Sequence, residues 1–352
     1  MILPNEIFNE RTSTLKCVVW DLDGTLWDGI LLEDASVTVN PEIREIIIQL
    51  DQCGILNSIS SRNDEKLALR KLEELALAEY FVCSQINWNP KSDSIQQIAA
   101  NLNLSLNSFA FVDDQPFELA EVTAACPEVR CIPVREASST LRRFVSKVEL
   151  TTEEALRRRL QYQDESKRER ARGDFKGTNE DFLKTLRMEF TISKAVAADL
   201  DRAYELTLRT NQLNSTGLTY AQDELLNYSR SEEYLLLMAD LKDCFGDYGK
   251  IGLALVAKGQ EIWTIKLLLM SCRVINRGVG SLLLHHIITD AKHFGVRLQA
   301  EFLPNERNRM MSVAFGLSGF KKVGSSKNIV TLEHLLDTAP TPPPYVKVTS
   351  MT

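Results

Sequence analysis

"KCVVWDLDGTLWDG", residues 16–29, decides the fold. The apolar run Cys17–Trp20 reads as a buried strand. It stops abruptly in Asp21, Leu22, Asp23, Gly24 and Thr25. Two carboxylates, one residue apart, therefore stand at the mouth of that strand. Parallel sheets bind ligands at the carboxyl ends of their strands. Both acids face the crevice if the strand has already become a loop, and Gly24 gives that loop its freedom.

Working outward, short apolar runs alternate with amphipathic stretches as far as Arg135. PEIREIIIQLDQCG reads as a helix closed by Gly54, ILNSIS as a strand and DEKLALRKLEELAL as a helix. YFVC is a short strand, SDSIQQIAANLNL a helix, FAFV a strand, EVTAACP the remnant of a helix and VRCIPV a last strand. Such alternation implies a parallel sheet with helices on both faces.

Three more polar features fall at strand ends. Ser61 lies in ISSRN, Lys91 in NPKSD, and Asp113 and Asp114 in FVDDQP. The carboxyl edge then carries four acids, one lysine and one hydroxyl. So many acids together are costly unless a cation sits among them, and hard oxygen ligands suit Mg²⁺. Each piece alone has an ordinary explanation. An isolated DxD is a turn or a cap, Ser61 an N-cap, Lys91 a surface charge, and DD before QP the start of a turn. Their conjunction, in order and each at a strand end, favours catalysis.

The second half begins after a densely charged stretch, residues 151–178, which reads as a solvated connecting helix. Residues 179–337 form a second α/β unit: the helix ADLDRAYELTLRTNQL, the strands YLLLMADL, KIGLALVAKG and EIWTIKLLLM, a helix after NRGVG, and a strand near VRLQAEF. Residues 338–352 are Pro-rich and expected to be disordered. The first domain is assigned to residues 1–150.

Composition narrows the function. The chain has 352 residues, 44% hydrophobic and 25% charged, with net charge −7. That balance argues against nucleic acid and against an anionic membrane as partners. No signal peptide is read at the N-terminus and no apolar run reaches the roughly 20 residues of a membrane helix. Seven cysteines without a CxxC pair suggest reduced thiols in a cytoplasm. All four histidines lie in the last quarter, so acid–base chemistry in the first half must use other groups.

DLDGT, Ser61, Lys91 and DD together resemble the phosphotransferase branch of the haloacid dehalogenase superfamily. The resemblance implies that Asp21 attacks phosphorus to form an aspartyl phosphate and that Asp23 is the general acid/base. It implies that Ser61, Lys91, Gly24 and Thr25 hold the phosphoryl group, with Arg62 and Asn63 beside them on the substrate. Asp21, Asp23, Asp113 and Asp114 would surround Mg²⁺. The gaps between the motifs are short for an inserted cap.

A wider set, adding SSRND, NWNPKSDSIQQIA, FVDDQPFELAEV, RTNQLN, DCFGDYGKIG and LLMSCRVINRGV, resembles the FkbH-like family over residues 15–320. Its members take 1,3-bisphosphoglycerate, remove phosphate, and load the glyceryl group as a thioester onto a phosphopantetheinylated acyl carrier protein in polyketide pathways. The fold class implied is α/β: a haloacid dehalogenase-like domain on a Rossmann-type parallel sheet, then a GNAT-like α/β domain. The competing reading is a Mg²⁺-dependent small-molecule phosphatase without acyl transfer.

In the second half, RVINRGVGSLLLHHI puts Arg277, Gly278 and Gly280 at an expected helix N-terminus, a place for an anion. Ile275 stands where acetyltransferase loops carry Arg or Gln, which favours a carrier-protein arm over free CoA. Cys272 follows an apolar run between Ser271 and Arg273, and a basic neighbour lowers a thiol pKa. It is either the acyl-carrying thiol or a structural cysteine, with Cys244 the second candidate. In RTNQLN, Asn211 and Gln212, near Arg209, either hold glycerate hydroxyls or simply end a helix.

Overall fold

The computed structural model describes residues 15–34, 36–146, 152–210, 212–337 and 341–351. The chain divides into two compact units, Met1–Ser166 and Lys167–Thr352. Both are α/β, as expected from the sequence.

In the first unit, Cys17–Trp20 form β1, whose four side chains are all buried. Trp27–Asp28 (β2) and Thr38–Val39 (β3) make a small antiparallel ribbon beyond it. Then come α1 (Pro41–Gln52), β4 (Leu56–Ser61), α2 (Glu65–Glu74), β5 (Gln85–Ile86), α3 (Lys91–Leu102), β6 (Phe109–Asp113), α4 (Pro116–Ala125), β7 (Arg130–Pro133) and α5 (Val134–Val145). The sheet order is β5-β4-β1-β6-β7, and every pairing is parallel. β1 is central, so its carboxyl end opens between those of β4 and β6. Apolar clusters cover both faces of the sheet, one built around Trp20, Ile46 and Ile59, the other around Val19, Ile95 and Phe111. Burial on both faces is what makes β1 and β6 read as unbroken apolar runs.

The expected strand YFVC is displaced. Tyr80 ends a 3-10 turn, Phe81 makes a single bridge to Asn57, and pairing resumes only at β5. Cys83 has φ +53°, which breaks the extended backbone there.

The charged stretch is less solvated than expected. It contains α6 (Glu153–Leu156) and α7 (Arg158–Asp174), and α8 (Asn179–Thr185) follows it. Within the first unit, Arg158 donates to the Gly54 carbonyl at 2.8 Å, and Arg159 to Asp51 at 3.1 Å. Within the second, Arg168 is 2% exposed and grips Asp243 through Nε (2.6 Å) and Nη2 (2.9 Å), its guanidinium 4.0 Å from the Tyr248 ring centroid. Local charge density gave no sign of these distant partners. Removing one member of a buried pair strands the other. Arg168→Met is therefore expected to cost about 3–5 kcal/mol in urea denaturation; a loss under about 1 kcal/mol would mean that water reaches Asp243.

The second unit continues with β8 (Met188–Lys194), α9 (Leu200–Arg209), α10 (Gln222–Arg230), β9 (Tyr234–Asp243), β10 (Gly246–Lys258), β11 (Ile262–Met270), α11 (Leu282–His293), β12 (Arg297–Phe302), α12 (Arg309–Leu317), β13 (Lys321–Ser326), β14 (Ile329–His334) and β15 (Val346–Met351). Its sheet runs β13-β14-β12-β11-β10-β9-β8-β15. The tail read as disordered instead carries β15, paired in parallel with β8. Val346 and Val348 pack onto the core there, and the strand covers what would otherwise be an open sheet edge. Among the described residues, no helix is long and apolar enough to cross a membrane.

Candidate active site

The site lies at the carboxyl edge of the first sheet. Asp21 immediately follows β1 and is 6% exposed; its N–H donates to the Val112 carbonyl at 3.0 Å, which holds it against β6. Asp113 closes β6, fully buried, and Asp114 follows. Oxygens of Asp21, Asp113 and Asp114 lie within 4.8 Å of one another. Lys91 opens α3, is 3% exposed, and reaches into this group. Its Nζ donates to Asp21 and to the Ser60 carbonyl (2.7 Å) and stands 3.4 Å from Asp113.

The three acids and the lysine are thus brought together by the ends of β1, β4 and β6 and the start of α3. Gly24 closes the other side. Its φ is +68°, and a Cβ there would fall 2.7 Å from an Asp114 oxygen. A side chain would therefore push Asp114 out of the cluster.

Asp23 behaves differently. The expected metal set contained its carboxylate, but the structure turns it elsewhere. Oδ1 accepts from Trp27 Nε1 (2.7 Å) and the Leu31 N–H (3.1 Å), and Oδ2 from Asn63 Nδ2 (2.9 Å). Three donors fix the group and leave one of about four lone-pair positions for a proton. Asn63, expected on the substrate, is 2% exposed and instead positions Asp23. Trp27 was within the opening stretch, four residues after Asp23; only its indole N–H could have suggested this partnership.

Ser61 and Thr25 are buried at the same edge, and Thr25 Oγ1 has no hydrogen-bond partner among the described residues. Arg62 stands at the rim, its Nη1 2.7 Å from Glu118, a residue the sequence reading passed over. Buried polar atoms are normally paired. Among the described residues, Thr25 Oγ1, Arg62 Nε and Glu118 Oε2, along the carboxyl edge of the sheet, are buried without a hydrogen bond and mark a place built for something else.

Charge follows from the crowding. Burial, then the Asp21 carboxylate, raise Asp113 from 3.8 to about 7, with Lys91 opposing. The same two causes raise Asp114. Mg²⁺ fits here: three hard oxygen donors, on Asp21, Asp113 and Asp114, converge within 4.8 Å of one another. A carboxyl whose folded pKa is raised stabilises the metal-free fold at low pH, and that stability is lost as pH rises through about 7. Below that value Mg²⁺ must displace a proton. Its affinity is expected to rise with pH up to about 7 and then flatten, with proton release below. Calorimetry in two buffers of different ionisation enthalpy measures this; pH-independent affinity over that range would contradict it.

Cys272 begins a 3-10 helix, Cys272–Arg277, just past β11, and is partly buried. Arg273 donates to the Tyr248 carbonyl at 3.1 Å and to Ser271 Oγ at 3.4 Å. The expected helix after NRGVG is present, although Arg277 and Gly278 lie before its first turn. Arg277 ends the 3-10 helix, Gly278 follows at φ +69°, and α11 begins only at Leu282. Arg277 is buried and donates to Tyr248 Oη at 3.1 Å. Cys244 is exposed, and its thiol pKa is pushed up by residual burial and then by Asp243. Gln212 is partly buried in the turn after α9, and Asn211 lies outside the described residues.

A comparison with protein-family models finds no match, nor does one with curated proteins. Among solved structures, the N-terminal part of BF1531 from Bacteroides fragilis, containing a phosphatase domain complexed with Mg, is 26% identical, over 40% of this chain and 41% of that one, at TM-score 0.33. The match thus takes in less than half of that protein. The cobalt-bound deoxy-D-mannose-octulosonate 8-phosphate phosphatase of Haemophilus influenzae is 18% identical, covering 38% of this chain and 91% of that one, at TM-score 0.32. The ribosomal-protein-S18-alanine N-acetyltransferase of Escherichia coli is 17% identical, covering 43% and 96%, at TM-score 0.34.

Proposed function

We propose that the first unit is a Mg²⁺-dependent phosphatase of the haloacid dehalogenase type, working through an aspartyl phosphate on Asp21. The observation that carries this reading is the buried convergence of Asp21, Lys91, Asp113 and Asp114 at one strand end. Asp21, Asp113 and Asp114 would hold the metal, which when bound offsets the repulsion between an anionic phosphate and a carboxylate.

The chain's own groups divide the remaining work. Asp21 attacks phosphorus, and the bond from phosphorus to the leaving oxygen breaks. Asp23, fixed by Trp27, Leu31 and Asn63, gives that oxygen its proton. Asp23 then takes a proton from water as the water attacks phosphorus, phosphate departs, and the Asp21 carboxylate is regenerated. Lys91 and Ser61 hold the phosphoryl oxygens.

The finer reading joins this to glyceryl transfer, as in the FkbH-like family that the motifs resemble. The substrate is 1,3-bisphosphoglycerate and the acceptor a phosphopantetheinylated acyl carrier protein. The Cys272 thiolate attacks the acyl carbon, the bond to the C1 phosphate oxygen breaks, that phosphate leaves with the electron pair, and a 3-phosphoglyceryl thioester forms; hydrolysis of the C3 phosphate ester by the steps above makes it a glyceryl thioester. The carrier thiol then displaces Cys272. The position of Cys272 at the end of β11 supports this, as does the raised thiol pKa of its rival Cys244.

Intact-protein mass spectrometry tests the pairing of activities. Incubated with Mg²⁺ and a supply of 1,3-bisphosphoglycerate, the protein is expected to gain a glyceryl adduct, absent in Cys272→Ala and passed on when the carrier is added. Steady phosphate release with no adduct on either protein would leave a phosphatase without acyl transfer.

A further inference from the structure

Arg62 and Glu118 approach each other from opposite sides of the nucleophile. Arg62 directly follows Ser61, the last residue of β4. Glu118 lies in the first turn of α4, five residues after β6 ends. β1, which Asp21 directly follows, is the strand between β4 and β6. Their 2.7 Å contact therefore crosses the strand-end crevice from one flank to the other.

The contact is not a closed structural bridge. Guanidinium and carboxylate commonly pair through two parallel hydrogen bonds. Here Nη1 meets Oε1 alone, while Arg62 Nε and Glu118 Oε2 are buried with no hydrogen-bond partner among the described residues. Leaving two such groups unmet is costly and unusual away from a ligand site. The Glu118 side chain is 5% exposed but that of Arg62 is 37% exposed, so the pair anchors a cation whose remainder faces solvent. The rest of the edge is rich in acids. Lys91, buried beside Asp21 and the Ser60 carbonyl, serves the phosphoryl group itself. Any anionic group on a substrate beyond its phosphoryl would meet repulsion there, and Arg62 is the cation placed to offset it.

We infer that the Arg62–Glu118 pair is the specificity element of the Asp21 site, selecting phosphate esters that carry a second anionic group, a carboxylate or another phosphate. This rests on the phosphatase reading of Asp21. Glu118 is the positioning residue and Arg62 the contact.

The test compares kcat/KM for 3-phosphoglycerate with that for p-nitrophenyl phosphate, which has no second anion, in the full chain with Mg²⁺. In Arg62→Gln the ratio is expected to fall about tenfold to hundredfold, the loss of one charge-assisted contact, mainly through KM for phosphoglycerate. Arg62→Lys keeps the charge and should recover part of the ratio. Glu118→Gln should lower it less, since the guanidinium remains but is no longer anchored. An unchanged ratio in both Arg62→Gln and Glu118→Gln, with wild type active on both esters, overturns the specificity role alone. A wild type inert toward both esters overturns the phosphatase reading, and this inference with it.

Discussion

Asp21→Asn is expected to lower phosphate release by about 10⁴-fold or more while leaving the fold intact. The amide keeps the size and shape of the carboxylate but cannot attack phosphorus. Lys91 would not be stranded, because the Ser60 carbonyl at 2.7 Å and Asp113 at 3.4 Å remain beside it. The substitution also removes a negative charge that raises both Asp113 and Asp114. The metal-free variant should therefore lose less stability than wild type as pH rises through about 7. Turnover and thermal melts over a pH series check both parts. Turnover within about tenfold of wild type would contradict the nucleophile assignment.

Lys91→Met acts on the fold as well as the chemistry. The ammonium is 3% exposed among two carboxylates and a carbonyl, and it lies 5.8 Å from the centroid of the Phe111 ring. Methionine fills similar space without the charge. Buried carboxylates left uncompensated should cost about 3–5 kcal/mol at alkaline pH in chelator. The cost should shrink in acid, because Asp113, raised to about 7 even with Lys91 present, takes up a proton there. Excess Mg²⁺ should restore part of the stability by supplying another cation. Turnover should not return, since the cation that holds the phosphoryl oxygens is gone. Urea denaturation at alkaline and acid pH, in chelator and in Mg²⁺, reads these effects. A loss equal at both pH values would contradict the charge-compensation account.

The parallel sheet and the chemical cluster were legible for the same reason. Strands buried on both faces read as unbroken apolar runs, and polar residues at their ends then stand out, as Asp21, Lys91, Asp113 and Asp114 do. What was hidden depends on pairing across the chain. Asn63 was placed on the substrate by the family resemblance; its 2.9 Å bond to Asp23, 40 positions away, is invisible in local pattern. The Arg62–Glu118 contact was hidden for the same reason. Arg158 and Arg168 looked solvated because arginine-rich helices usually are; their distant partners, among them the Gly54 carbonyl and Asp243, account for their burial. In the tail, the prolines dominated the reading and masked the alternation of Val346 and Val348, which β8 uses.

In the mechanism proposed, phosphate passes through a covalent bond to Asp21. The direct measurement is acid-quench mass spectrometry of Asp23→Asn mixed with Mg²⁺ and 3-phosphoglycerate, followed by peptide mapping. Without the base that activates water, the phosphorylated form should accumulate, with one phosphoryl group on the peptide containing Asp21 and none in Asp21→Asn. A phosphoryl group on a different residue, or phosphate release at an undiminished rate with no covalent species, would contradict the account.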